Sequence, residues 1–158
     1  MGILAVVTDA FSDDTRDAAE ELEIVRRTWS ISAPSQRLEL VAEDGGAVVG
    51  HVLAATGRLD GRESAVAGVA PVCVGPAHQR RGIGSALVRE LVRLAEGRDW
   101  PLLVLLGDPA FYRRFGFEPA GPLGLSYAPV GAGNPHFQAR RLPGGDATLR
   151  GVFSYCWE

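Results

Sequence analysis

Apolar residues along the chain repeat with two different periods, and each change of period marks an element. In Ile83–Glu96, Ile83, Ala86, Leu87, Leu91, Leu94 and Ala95 share one helical face, while Arg89, Glu90, Arg93 and Glu96 fall largely on the other. Two earlier segments also read as helices. Residues 3–11 carry Ile3, Val6, Val7 and Ala10 or Phe11, and Thr15–Trp29 carries Ala18, Leu22, Val25, Arg26 and Trp29 along a stripe. Ser12-Asp13-Asp14 interrupts the first and supplies capping oxygens for the second. Arg37–Glu43 then alternates with period two and predicts a strand. Asp44-Gly45-Gly46 reads as a hairpin turn, Val48–Thr56 as the returning strand, Gly57–Arg62 as a second turn and Ser64–Val74 as the third strand of a meander. Pro71 removes a ladder donor inside that strand. Pairing there must be broken or one-sided, as suits a strand that splays from its neighbour.

Past the long helix, Gly97-Arg98-Asp99-Trp100-Pro101 closes it. Leu102–Leu106 is a short, fully apolar strand, expected to run parallel to Ser64–Val74 through the helical crossover. Asp108 and Pro109 open a further helix as N-cap and first residue. Ala110–Phe115 continues it, Gly116 ends it in a left-handed turn, and Phe117 starts a strand. Leu123–Asn134, rich in Gly and Pro, reads as a long loop. Phe137–Leu142 and Leu149–Cys156 read as strands joined by Pro143-Gly144-Gly145-Asp146, with Phe137, Phe153, Tyr155 and Trp157 as core and edge packing.

The most informative stretch is Gln79-Arg80-Arg81-Gly82-Ile83-Gly84, between the strand ending at Val74 and the long helix. Strand, glycine turn and helix bring unpaired backbone N–H groups and a positive helix end to one spot, which binds phosphate. Gly82 and Gly84 let an anion approach the backbone, Ser85 adds a hydroxyl, and Arg80 and Arg81 add charge. A P-loop would need a lysine, and the chain has none. A dinucleotide fingerprint wants three glycines, and only two are present. An ordinary strand-to-helix turn is the plainer alternative.

Gln-x-x-Gly-x-Gly after an apolar strand resembles the acyl-coenzyme-A loop of the GNAT-type N-acetyltransferases. Tyr112-Arg113-Arg114-Phe115-Gly116-Phe117 resembles the Tyr-x-x-aromatic-Gly-Phe signature of the same superfamily, and follows in the right order. Gly50-His51, Leu106-Gly107-Asp108-Pro109 and Phe115-Gly116-Phe117-Glu118-Pro119-Ala120 resemble a bacterial subgroup of predicted N-acetyltransferases. The resemblance runs from about Phe11 onward. It implies an α/β (mixed α+β) fold: a central mixed, mostly antiparallel sheet with a splayed parallel strand pair, flanked by helices. That superfamily opens with a strand before its first helix, whereas this chain reads as starting within that helix: either the strand is missing or the start is trimmed, and an absent first strand would expose a sheet edge and favour a homodimer.

The resemblance further implies acetyl-CoA as co-substrate, with Val72, Cys73 and Val74 pairing with the pantetheine arm. Gln79, Arg80, Arg81, Gly82, Ile83, Gly84 and Ser85 would form the pyrophosphate loop. A strand N–H would stabilise the oxyanion, and Tyr112, by its family position, would give a proton to the departing sulfur. Direct transfer without an acyl-enzyme makes Cys73 a small strand residue. The base is open among Glu43, His51, Glu118 and a water chain. The acceptor is a small-molecule or peptide amine, set by Ser30–Gln36 and Leu123–Asn134. A coenzyme-A-binding sensor on the same fold is the alternative function.

Composition narrows this little further. A chain of 158 residues fits one domain, 1–158, and 46% hydrophobic residues supply a core. A net charge of −3 argues against general nucleic-acid binding. Cys73 and Cys156 lack metal-type spacing and the histidines are scattered, so no metal is expected and two reduced thiols are. No signal peptide or membrane span is read, which predicts a cytoplasmic protein. The acidic run from Asp13 to Glu23 reads first as a solvated helix face, with an acidic rim attracting a cationic amine as the sharper alternative.

Overall fold

The computed structural model describes residues 2–12, 17–146 and 148–158. Helices α1 (Gly2–Phe11) and α2 (Ala18–Ile31) come first. Asp17 caps α2, its carboxylate accepting from Ala19 N–H at 2.9 Å. The caps expected at Asp13 and Asp14, and the helix start at Thr15, lie outside the described residues. Strands β1 (Arg37–Asp44), β2 (Ala47–Leu59) and β3 (Arg62–Val74) form the expected antiparallel meander. The second turn is tighter than Gly57–Arg62, because pairing of Arg58 and Leu59 with Glu63 and Arg62 carries both strands to Asp60-Gly61.

Helix α3 (Ile83–Ala95) crosses over to β4 (Leu102–Leu106), which runs parallel to β3. Helix α4 (Pro109–Tyr112) continues as a 3₁₀ turn over Arg113–Phe115 and ends at Gly116, whose φ of 84° is left-handed as expected. Strands β5 (Glu118–Pro119), β6 (Leu125–Tyr127), β7 (Phe137–Arg141) and β8 (Gly151–Ser154) complete the sheet in the order β5-β7-β4-β3-β2-β8-β6, with β1 also on β2. The expected mixed, mostly antiparallel sheet is what the chain forms. Two details differ. β6 lies inside the expected long loop and pairs parallel with β8. β7 and β8 do not pair with each other: β7 joins β4 and β5, while β8 joins the far end of β2.

Side chains alternate across a strand, so the two faces of the sheet receive different partners. Val52, Ala54, Ala67, Val69, Leu103 and Leu105 pack under α3, against Leu87, Val88, Leu91, Val92 and Ala95. The buried face of α3 is therefore turned slightly from the expected one, with Val88 and Val92 inside and Ala86 exposed. The opposite face is shared. α1 and α2 cover Leu53 and Cys73 with Val6, Val7, Phe11 and Val25. The C-terminal segments cover Val66, Val104 and Ala139 with Phe137, Phe153 and Tyr155. No helix of the described residues is long and apolar enough to cross a membrane.

Candidate functional site

The site grows from the failure of β3 and β4 to stay paired. Their parallel register holds at Ala67–Leu103 and Gly68–Val104, and beyond it β3 continues to Val74 with β4 drawing away. The β2–β3 register also shifts between Val52 and Ala54, opposite Ala70-Pro71. A missing proline donor and a shifted register place the one-sided stretch where the sequence predicts it. Gly75 N–H donates to Val49 of β2 at 2.9 Å. By strand alternation Cys73 also turns its backbone to β2, while Val72 and Val74 turn theirs to the gap. Gln79 Nε2 donates to the gap-facing carbonyl of Val74 at 3.1 Å, which ties the loop to the strand end.

Two recesses meet at this gap. The first, about 370 Å³, is lined by Val74, Gln79, Arg80, Gly82, Ile83, Gly84 and Ser85, joined by His78, Phe111 and Arg114. Gly82 is the N-cap of α3 at φ 79°, and a Cβ there would meet nothing within 4 Å, so the approach to the backbone is open. Arg80 adopts φ 62°, uncommon for a residue with a side chain. Ala86 N–H donates to Gly82 carbonyl at 3.0 Å, so the amides of Ile83, Gly84 and Ser85 precede the first intrahelical bond. Arg81 is exposed and is not among the lining residues. Arg114 is the member the sequence analysis left inside a motif. Its guanidinium lies 4.8 Å from the Phe111 ring centroid and donates to Ser85 Oγ at 3.3 Å. The donor set (amides, a hydroxyl, two guanidinium groups) fits a pyrophosphate.

The second recess, about 240 Å³, is bounded by Val69, Ala70, Pro71 and Val72 of β3 and by Leu105 and Leu106 of β4. Tyr112, Glu20, Glu21, Ile24, Tyr127, Tyr155 and Trp157 close it. Phe111 lines one recess and Tyr112 the other, so α4 forms part of the wall between them. A Cβ on Gly107 would sit 2.4 Å from Tyr112 Cε2, so the bare glycine makes room for that ring. Gln138, buried, donates from Nε2 to the Gly107 carbonyl at 3.0 Å and fixes the turn. Tyr127 donates to Glu158 Oε1 at 2.6 Å, and burial with the Glu158 and Glu20 charges holds its phenol protonated well above the usual range.

The other candidates lie elsewhere. The Cys73 side chain is buried among Val6, Val7, Phe11 and Val25; burial, with the Glu21 charge, pushes its thiol up to about 12. Both cysteines are free. Glu43 is exposed on β1, and Glu118 lies 4.0 Å from Arg141 on the surface. His51 is fully buried, with Nε2 3.0 Å from Glu39 Oε2, which also accepts from Trp29 Nε1 at 2.7 Å. None of these three lines the second recess. Nor does Ser30–Gln36; the loop after Leu123 contributes Tyr127. Glu20 and Glu21 do line it, so the acidic run is not simply a solvated face: Glu21 is 8% exposed. Tyr155 and Trp157, read as packing, line it as well.

A family model described as an acetyltransferase (GNAT) domain matches residues 1–120. The chain belongs to the GNAT acetyltransferases. Among its relatives is the uncharacterized N-acetyltransferase YhbS of Escherichia coli K12, 35% identical over 141 residues, which span 82% of this chain and 83% of the relative. The crystal structure of that E. coli GNAT protein in complex with CoA superposes with a TM-score of 0.82 at 30% identity, covering 98% of this chain and 82% of the other. A GNAT acetyltransferase of Brucella melitensis in complex with acetyl-CoA gives a TM-score of 0.78 at 32% identity, covering 98% and 87%. The GNAT resemblance read from two motifs is thus the family, and the curled sheet with flanking helices is its fold.

Proposed function

We propose that the chain is an acyl-CoA-dependent N-acetyltransferase that moves an acetyl group from acetyl-CoA to a primary amine by direct attack. The observation that carries this reading is the meeting of an anion-binding recess and a half-apolar recess at the β3–β4 gap, with Tyr112 at the junction. Two solved GNAT structures that share the fold over 98% of this chain hold CoA or acetyl-CoA, which supports the same co-substrate here. The Gln79–Ser85 loop and Arg114 hold the pyrophosphate, and the gap-facing backbone of Val72 and Val74 pairs with the pantetheine arm. A gap-facing strand N–H donates to the developing oxyanion.

The amine nitrogen forms its bond to the thioester carbon, the carbon–sulfur bond breaks, and the sulfur leaves with a proton from Tyr112 O–H. The proton lost by the amine passes to solvent, and Tyr112 is reprotonated from water. With its thiol buried and held protonated, Cys73 is no nucleophile, which favours direct transfer. One domain spanning 1–158 is supported by the core clusters sharing one sheet. β1 pairs with β2 alone among the described residues, and its outer edge offers a homodimer contact that a sedimentation measurement would detect. The function is tested by thiol release from acetyl-CoA with a panel of amines: amine-dependent release supports it, and release that no amine stimulates contradicts it.

A further inference from the structure

Three of the aromatic residues that line the second recess form one group. Tyr127 meets Tyr155 edge-on at 5.4 Å, and Tyr155 and Trp157 stack at 4.1 Å. They come from two parts of the chain, Tyr127 from β6 and the other two from the residues after β8. Glu158 ties these parts together. Its Oε1 accepts from the Tyr127 hydroxyl at 2.6 Å and its Oε2 from Tyr155 N–H at 2.7 Å, while its own N–H donates to the Tyr155 carbonyl at 3.2 Å. Glu158 is exposed and does not itself line the recess. We infer that Glu158 is a positioning residue for the acceptor: its carboxylate latches Tyr127 to the Tyr155–Glu158 turn, and the latch sets the size of amine that the recess admits. The inference rests on the acetyltransferase reading of the same site.

The Tyr127–Glu158 bond has the length of a charge-assisted one, since a hydroxyl donating to a carboxylate spans about 2.5–2.7 Å. Burial, with the Glu158 bond and the Glu158 and Glu20 charges, keeps the Tyr127 phenol protonated and so a donor at neutral pH. The tie matters because β6 is three residues long and ends the sheet order, held to β8 by the pairs Leu125–Gly151, Ser126–Val152 and Tyr127–Phe153. Tyr127 is its last residue, and a 3₁₀ turn over Ala128–Val130 follows at once. A ring at the end of so short a strand is placed by its side-chain contacts. Tyr127 stacks on Phe137 at 5.6 Å and reaches Glu158 through its hydroxyl. The reciprocal bonds between Tyr155 and Glu158 close the turn that carries Trp157. One carboxylate therefore fixes both parts of the aromatic group. The recess, about 240 Å³, lies below the roughly 300–1,000 Å³ of pockets that enclose drug-sized ligands, so a shift of the Tyr127 ring by about 1 Å changes which acceptor fits.

The test runs propylamine, benzylamine and tryptamine, amines of increasing bulk, in the thiol-release assay, with folding checked by thermal melting on the same samples. The parent is expected to favour propylamine over tryptamine in kcat/KM. Glu158→Ala should narrow that ratio by at least about fivefold, through KM more than through kcat. Glu158→Gln keeps an oxygen for the Tyr127 hydroxyl but brings an amide NH2 to Tyr155 N–H, so its ratio should fall between the two. Tyr127→Phe cuts the same bond from the other side, and it carries the test if Glu158→Ala does not fold. Because both changes remove one bond, the double variant should match Glu158→Ala rather than add to it. A folded Glu158→Ala with the parent's ratio, effects that add in the double variant, or a parent that turns over all three amines alike overturns the inference and leaves the acetyltransferase reading standing. No release with any amine overturns that reading, and the inference with it.

Discussion

Tyr112 is held by what its neighbours lack as much as by what they supply. The ring occupies the space a Gly107 side chain would take, and it meets Phe111 and Phe117 edge-on at 4.8 and 5.8 Å. Removing its hydroxyl should therefore leave the ring seated and remove the proposed proton donor. Tyr112→Phe is expected to lower kcat by about 10²-fold or more while the acetyl-CoA dissociation constant stays within a factor of about two, measured by steady-state kinetics and calorimetry. Gly107→Ala tests placement rather than chemistry. Its Cβ displaces the ring, so kcat should fall by about tenfold with the hydroxyl still present, and unchanged turnover would deny Tyr112 its role. The turn that carries Tyr112 was legible because a left-handed Gly116 and the aromatic spacing mark it. Gly107 was not, because its Cβ clash depends on how Tyr112 folds back.

At the scale of elements, the first recess follows from the order strand, loop, helix, and that order is written locally. Gly82 must hold φ 79° and leave the amides of α3 uncovered, which a glycine in the sequence announces. Arg114 was visible only as part of a motif; its contact with Ser85, 29 positions away, is a product of packing. Arg114→Ala removes a guanidinium from the recess and should weaken acetyl-CoA binding about tenfold, more at low salt than at high. An equal affinity at both salts would take Arg114 out of the site. The splay was legible through Pro71. Strand β6 was not, since three residues among Gly and Pro carry no periodicity and form a strand because β8 passes beside them.

The whole molecule decides what single segments cannot. The second recess draws Glu20, Tyr127 and Trp157 from distant parts of the chain, which is why the acidic run read as a solvated face and the C-terminal aromatics as packing. The same holds for Trp29–Glu39–His51, which links α2, β1 and β2 beneath the sheet. Burial raises the Glu39 carboxyl, but hydrogen bonds from His51 and Trp29 and the nearby positive charge outweigh it, leaving it below the ordinary value of 4.5. A carboxyl depressed by folding stabilises the fold above its unfolded value and loses that contribution as pH falls through the folded value. Glu39→Gln should cost about 1–3 kcal/mol at pH 7 in chemical denaturation, with the gap to the parent narrowing below about pH 4. A gap that does not change with pH would mean that the carboxylate charge contributes nothing.

Whether the two recesses form one acetyl-transfer site is tested most directly by thiol release from acetyl-CoA with a panel of primary amines, comparing the parent with Tyr112→Phe and Gly82→Glu. Glutamate at position 82 combines backbone strain at positive φ with a carboxylate facing the anion recess, so it should abolish coenzyme binding. Release is expected to depend on an amine, to fall with Tyr112→Phe and to vanish with Gly82→Glu. Tight coenzyme binding with no amine-stimulated release would contradict the claim and leave a coenzyme-A sensor on this fold. Coenzyme binding that survives Gly82→Glu would place the pyrophosphate somewhere other than the Gln79–Ser85 loop.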